Sequence, residues 1–131
     1  MLLYYITDRT QFGDTESVRR GGVLNQIRLA AEAGVDYIQL REKDLPVREL
    51  ESLAREAEEI VHAIPPPRPK FLVNSRMDIA IVAGADGVHL RSDDLPASDA
   101  RAIFSKAGMA EICVAASCHT IREIAAAEAH G

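Results

Sequence analysis

The chain has 131 residues, with 15 Lys and Arg against 20 Asp and Glu, a formal net charge of −5. That balance argues against a nucleic-acid binder, which carries a basic domain or stripe. A mixture of 47% apolar and 27% charged residues argues against disorder, and no apolar run approaches the roughly 20 residues that span a bilayer.

In chain order, Leu2 to Thr7 reads as a strand that ends at Asp8-Arg9. The segment lacks a basic n-region and meets a charge at once, so it is not read as a signal peptide. A polar stretch from Thr10 to Arg20 follows. Val23, Leu24, Ile27, Leu29, Ala30 and Ala31 fall at helical spacing, and Gly34 stops that helix. Tyr37 to Arg41 is a second strand. Leu45-Pro46 opens a second helix, whose buried face runs from Leu50 to Val61. Pro65-Pro66-Pro67-Arg68-Pro69 ends it as a stiff loop. Lys70 to Asn74 is a third strand, Met77 to Ala83 a short helix closed by Gly84, and Gly87 to Leu90 a fourth strand. Pro96 to Lys106 is a helix, Ile112 to Ala116 a fifth strand and Thr120 to Ala129 a fifth helix. The two cysteines, Cys113 and Cys118, form no CxxC pair and share no ligand spacing with the histidines. A disulfide framework and structural zinc are therefore not expected. Reduced cysteines in a cytoplasmic protein are.

An internal repeat sharpens this pattern. Ala33-Gly34-x-Asp36-x-Ile38-x-Leu40-Arg41 returns 50 residues later as Ala83-Gly84-x-Asp86-x-Val88-x-Leu90-Arg91. Each copy reads as a helix stop, a tight turn and a strand. Regular alternation of this kind implies parallel strands joined by helical crossovers. Two architectures fit, a (βα)8 barrel and an open doubly wound sheet. No Gly-rich phosphate loop follows the first strand, which removes the best sign of a dinucleotide fold. Polar residues instead sit at the C-terminal ends of successive strands, where a barrel builds its site. The expectation is an α/β fold of the (βα)8 TIM-barrel type, truncated after about five βα units, with residues 1–131 a single partial barrel domain. A barrel takes about 200 residues or more.

Several constellations carry chemistry. Gln39, Arg41 and Lys43 alternate, so along a strand they share a side. An amide and two cations suit an anion such as pyrophosphate, with Arg as a fork and Lys as a point charge. The alternative is a charged strand end paired with Glu42 and Asp44. Asn74 suits the edge of a heterocycle or caps the helix near Met77, and Ser75 caps as well. Asp78 sits in that helix's first turn and reads as structural. Asp93 and Asp94 form a carboxylate pair able to hold Mg²⁺ beside a phosphate, or they cap the next helix. His89 alone reads as a core histidine with a satisfied hydrogen bond. Ser117 precedes a helix and offers an anion seat or an N-cap, a role Thr120 fills equally well. A Ser-His nucleophilic pair is not supported, since no Gly-x-Ser-x-Gly elbow is present. Cys118 has no identifiable helper and is not assigned as a nucleophile.

Five segments in order, Tyr4-Tyr5-Ile6-Thr7-Asp8, Tyr37 to Asp44, Val73 to Ala80, Gly84 to Leu90 and Ser117-Cys118-His119-Thr120, resemble the thiamine phosphate synthase superfamily, which includes the thiazole tautomerases. The resemblance implies a (βα)8 barrel and a transferase. That enzyme joins a hydroxymethylpyrimidine pyrophosphate to a thiazole phosphate and releases pyrophosphate. It implies that Gln39 and Asn74 position the pyrimidine, that Arg41 and Lys43 hold the pyrophosphate with help from Ser117, and that Asp94 is one Mg²⁺ ligand. The other usual ligand, an Asp directly after the Asn, is here Ser75, and Arg91-Ser92 replaces a common Gly-Gln. The tautomerase branch needs no metal, and there His119 resembles the proton-transferring histidine. The implied partners are the two small-molecule substrates, with no nucleic acid, no membrane and a possible homo-oligomer. Truncation predicts a chain that is inactive alone, with Val73, Val88, Leu90 and Val114 as exposed apolar surface that favours association.

Overall fold

The computed structural model describes residues 1–131. Five strands alternate with five helices: β1 (Tyr4–Ile6), α1 (Glu16–Glu32), β2 (Tyr37–Leu40), α2 (Val47–His62), β3 (Lys70–Asn74), α3 (Met77–Ala83), β4 (Gly87–Leu90), α4 (Ala97–Lys106), β5 (Cys113–Ala116) and α5 (Ile121–His130). The strands form one sheet in sequence order, and every neighbouring pair is parallel. This is the strand–helix succession of a TIM-type barrel, with five of its units present.

The pleat decides what each face of the sheet holds. Ile38, Leu40, Phe71, Val73, Val88 and Leu90 point to the helices and are at most 2% exposed, in one cluster with Val23 and Ile27 of α1, Leu53 of α2 and Phe104 of α4. Successive side chains alternate, so Gln39, Asn74 and His89 point to the opposite, concave face. The expectation that Val73, Val88, Leu90 and Val114 form an exposed apolar surface is therefore wrong. The first three are buried under helices, and Val114 packs partly buried against the same core. The physical reason is parity: each of the first three is an odd number of residues from Asn74 or His89, and a one-residue offset in a strand changes face. The argument for self-association drawn from those four residues falls with it.

The internal repeat has a structural purpose at the N-terminal ends of the strands. Asp36 donates its N–H to the Leu3 carbonyl and accepts the Leu3 N–H on Oδ2 at 2.7 Å. Asp86 does the same to Phe71, with its Oδ2 accepting at 2.8 Å. Each Asp thus pins its strand to the preceding one. Gly34 and Gly84 supply the positive φ that turns the chain out of the helix just before. The opposite end of the sheet is left free for a site.

Helix α1 begins earlier than its apolar spacing predicts, at Glu16, with the Thr15 hydroxyl accepting from the Val18 N–H. Its first turns are polar, so they carry no periodic signal. No helix is long and apolar enough to cross a membrane.

Candidate active site at the C-terminal strand ends

A cavity of about 430 Å³ opens where the strands run into their following loops. Gln39, Arg41, Lys43, Asn74, Ser117 and His119 all line it. The regular strand β2 stops at Leu40, yet the alternation that began with Gln39 still carries Arg41 and Lys43 to the same cavity. Of the residues the sequence singled out, Asp94 stands apart from this cavity, while Asp93 and Arg91 line it.

Arg41 and Lys43 are presented by a buried ionic cluster that the sequence did not reveal. Thr7 Oγ1 donates to Glu42 Oε2 at 2.5 Å and accepts the Arg41 N–H at 3.0 Å. Glu42 Oε1 accepts the Arg9 N–H at 2.8 Å and lies 3.4 Å from Arg9 Nη1. Arg9 forks onto Asp44 at 2.6 and 3.1 Å and onto Glu16 at 2.9 and 3.0 Å. Arg9 and Glu42 are 3% and 5% exposed, so neither has water as a substitute partner. Arg9 holds the carboxyls of Asp44 and Glu16 below the usual carboxylate range, chiefly through these hydrogen bonds. Glu42 and Asp44, the carboxylates next to Arg41 and Lys43 in the sequence, are therefore spent on Arg9. Neither Arg41 nor Lys43 makes a side-chain hydrogen bond or ion pair, and both face the cavity as free cations. The legible trace of this was Thr7-Asp8-Arg9 at the end of one strand beside Glu42 and Asp44 at the end of the next.

A second network crosses the concave face. Gln39 Nε2 donates to the Tyr4 phenol oxygen at 3.2 Å. The phenol oxygen lies 2.7 Å from His89 Nδ1. His89 Nε2 lies 2.8 Å from Ser117 Oγ. In a neutral ring one nitrogen donates and the other accepts, so the bonds run from Tyr4 through His89 to Ser117 or in the reverse sense. Burial, and then the nearby Arg41 cation, hold the His89 pKa below its ordinary value, so the neutral ring this pattern requires is the stable one. Ser117 Oγ is held by His89 at the edge of the cavity. His89 is thus satisfied, as a core histidine is, but its second bond orients a cavity-lining hydroxyl.

Asn74 ends β3, and Ser75 follows in the left-handed region at φ 59°. Ser75 caps no helix. Its hydroxyl donates to Asp94 Oδ2 at 2.5 Å, and the same oxygen accepts the Arg91 N–H at 2.7 Å. Asp94 Oδ1 lies 3.6 Å from Arg91 Nη2. These residues do not fit a Mg²⁺ ion. One Asp94 oxygen already takes two donors, the other faces a guanidinium, and Ser75 is neutral. Thr120 caps α5 with a complete capping box to Glu123, which leaves Ser117 free of capping. Asp78 pairs with Arg76 at 2.7 Å, a local structural contact.

The model of the family described as thiamine monophosphate synthase matches residues 3–131. The chain belongs to the thiamine monophosphate synthase family. It is 40% identical over 129 residues to a candidate thiamine-phosphate synthase of Geobacter sulfurreducens, covering 98% of this chain and 54% of that protein. It is 42% identical over 80 residues to a thiamine-phosphate synthase of Methanoculleus marisnigri, covering 60% of this chain and 33% of that one. Among solved structures it resembles a thiamine phosphate pyrophosphorylase from Pyrococcus furiosus, with TM-score 0.78 and 28% identity over 99% of this chain and 56% of that one. The chain therefore spans about half the length of the Geobacter and Pyrococcus family members.

Proposed function

We propose that this chain carries the pyrimidine pyrophosphate half of a thiamine phosphate synthase site. The observation that carries this reading is the convergence of Gln39, Asn74, Ser117 and two unpaired cations, Arg41 and Lys43, on one cavity. Amide groups suit the ring edge of a hydroxymethylpyrimidine, and cations suit its pyrophosphate. In the reaction, the bond from the pyrimidine methylene carbon to the pyrophosphate oxygen breaks and its electron pair leaves with pyrophosphate. The nitrogen of a thiazole phosphate then captures the carbocation. Arg41 and Lys43 stabilise the charge that grows on the leaving group, and the Ser117 hydroxyl adds a hydrogen bond to it. The family membership and the relatives' names support this reading. The isolated chain binds the pyrimidine pyrophosphate without turning it over, since it spans about half of the synthases it resembles.

Calorimetric titration with hydroxymethylpyrimidine pyrophosphate tests this. Binding that weakens about tenfold or more in Arg41→Ala and again in Lys43→Ala supports it, since each removes a charged hydrogen bond. A chain that ignores the ligand refutes it. A second reading, a thiazole tautomerase-like isomerase, draws on His119 at the same cavity and on the neutral Ser75. It predicts binding of a thiazole phosphate without any pyrophosphate group.

A further inference from the structure

We propose that the guanidinium of Arg91 fills the place of a divalent cation in this cavity, so that pyrophosphate binds here without Mg²⁺. The inference rests on the cavity being an anion site, as proposed above.

Three observations carry it. First, the carboxylate that a metal would need is closed off: Asp94 Oδ2 is held by the Ser75 hydroxyl and the Arg91 N–H. Second, Arg91 is held in place without being used up. Asp93 Oδ1 lies 3.5 Å from its Nε and Asp94 Oδ1 lies 3.6 Å from its Nη2. Both are longer than a hydrogen bond, and the guanidinium makes none. Its five N–H donors remain available, and the side chain is 46% exposed at the cavity rim. Third, it completes a set. Arg41, Lys43 and Arg91 are three cations without hydrogen bonds that line one cavity, opposed among its lining residues by Asp93 alone. Three cations less the Asp93 carboxylate leave a net positive cavity, which suits a multiply charged anion. A guanidinium is permanently charged and forks onto phosphate oxygens, so it supplies directed positive charge that needs no hydration shell removed.

The ordinary alternative is a surface arginine in a local ion pair with Asp93 and Asp94. Such a pair gains from direct, short hydrogen bonds, which are missing here, and it gives no reason for the side chain to line the cavity with two other free cations.

Titrating inorganic pyrophosphate into the chain by calorimetry, first in EDTA and then in excess Mg²⁺, separates the possibilities. The expected result is binding in EDTA that Mg²⁺ does not strengthen, and that Arg91→Gln weakens about tenfold with an unchanged thermal melting curve. Binding seen only with Mg²⁺, or an Arg91→Gln chain that binds as well as the parent in EDTA, overturns the inference while leaving the anion site intact. No binding in either buffer overturns the anion site and the inference together.

Discussion

The phenol oxygen of Tyr4 on β1 shares a hydrogen bond with Nδ1 of His89 on β4 at 2.7 Å, although two strands lie between them in the sheet. A flat sheet would hold these strands roughly 14 Å apart. The bond therefore requires the sheet to curl as a barrel wall does. Tyr4 also stacks on Tyr37 with centroids 5.4 Å apart and meets the His89 ring edge-on at 5.8 Å. One side chain thus links the curvature of the fold to the orientation of His89, and through His89 to the Ser117 hydroxyl.

Tyr4→Phe keeps the stacking and removes the shared hydroxyl. Gln39 Nε2 loses its acceptor and His89 Nδ1 its partner. The site is only half-buried, so water offsets part of the loss, and the expected cost is about 1 kcal/mol. Urea unfolding measures it. A midpoint equal to that of the parent would show that the phenol bond does not hold the wall curved.

Stability should also depend on pH through His89. Its folded pKa lies below the unfolded value, near 6.5. The neutral ring's contribution is therefore complete above about pH 6.5 and is lost as pH falls through the lower folded value. A protonated ring can accept from neither Tyr4 nor Ser117. Unfolding midpoints measured across mildly acidic pH should fall more steeply for the parent chain than for His89→Gln. Parallel curves would contradict the assignment.

Arg9→Met leaves Glu42 charged, buried and without its guanidinium. Breaking one side of a buried pair costs about 3–5 kcal/mol, a large share of what a domain of this size possesses. Most of that comes from Glu42, because Asp44 and Glu16 can turn to water. Thermal unfolding measures the loss, and the double variant Arg9→Met with Glu42→Gln should recover part of it. A loss below about 1 kcal/mol would class the cluster with ordinary surface pairs.

Gly87 has a separate constraint. A Cβ built there falls 1.8 Å from the Cys113 carbonyl oxygen on the neighbouring strand. The backbone of β5 would have to move away, so Gly87→Ala should cost about 3 kcal/mol. The equivalent position in the first copy of the repeat is Tyr37, which carries a full side chain. A Gly87→Ala chain as stable as the parent in urea would mean that β5 shifts freely.

How much of this was written in the sequence differs by element. Strands β3 and β4 and helix α3 have the bounds that their apolar runs, Asn74, Gly84 and Gly87 predict, because each is bounded by residues with a local conformational reason. The convergence of Gln39, Arg41 and Lys43 was legible from alternation alone. The face of Val73 and Val88 was within reach of the same alternation, since Asn74 and His89 fix it. The role of Arg9 was not, because its partners Glu16, Glu42 and Asp44 come from two other segments brought together by folding. The Tyr4–His89 bond depends on curvature, which no local pattern encodes. The Ser75–Asp94 bond depends on a left-handed residue that nothing in Asn74-Ser75-Arg76 announces.

The central claim is that the C-terminal strand ends of this chain form the pyrimidine pyrophosphate site. It is tested most directly by a backbone-amide NMR titration with hydroxymethylpyrimidine pyrophosphate. The predicted result is saturable shifts at Arg41, Lys43, Asn74 and Ser117, with Asp36 and Asp86 at the opposite end of the sheet unmoved. Shifts centred on Asp36 and Asp86, or none at any concentration, would contradict it.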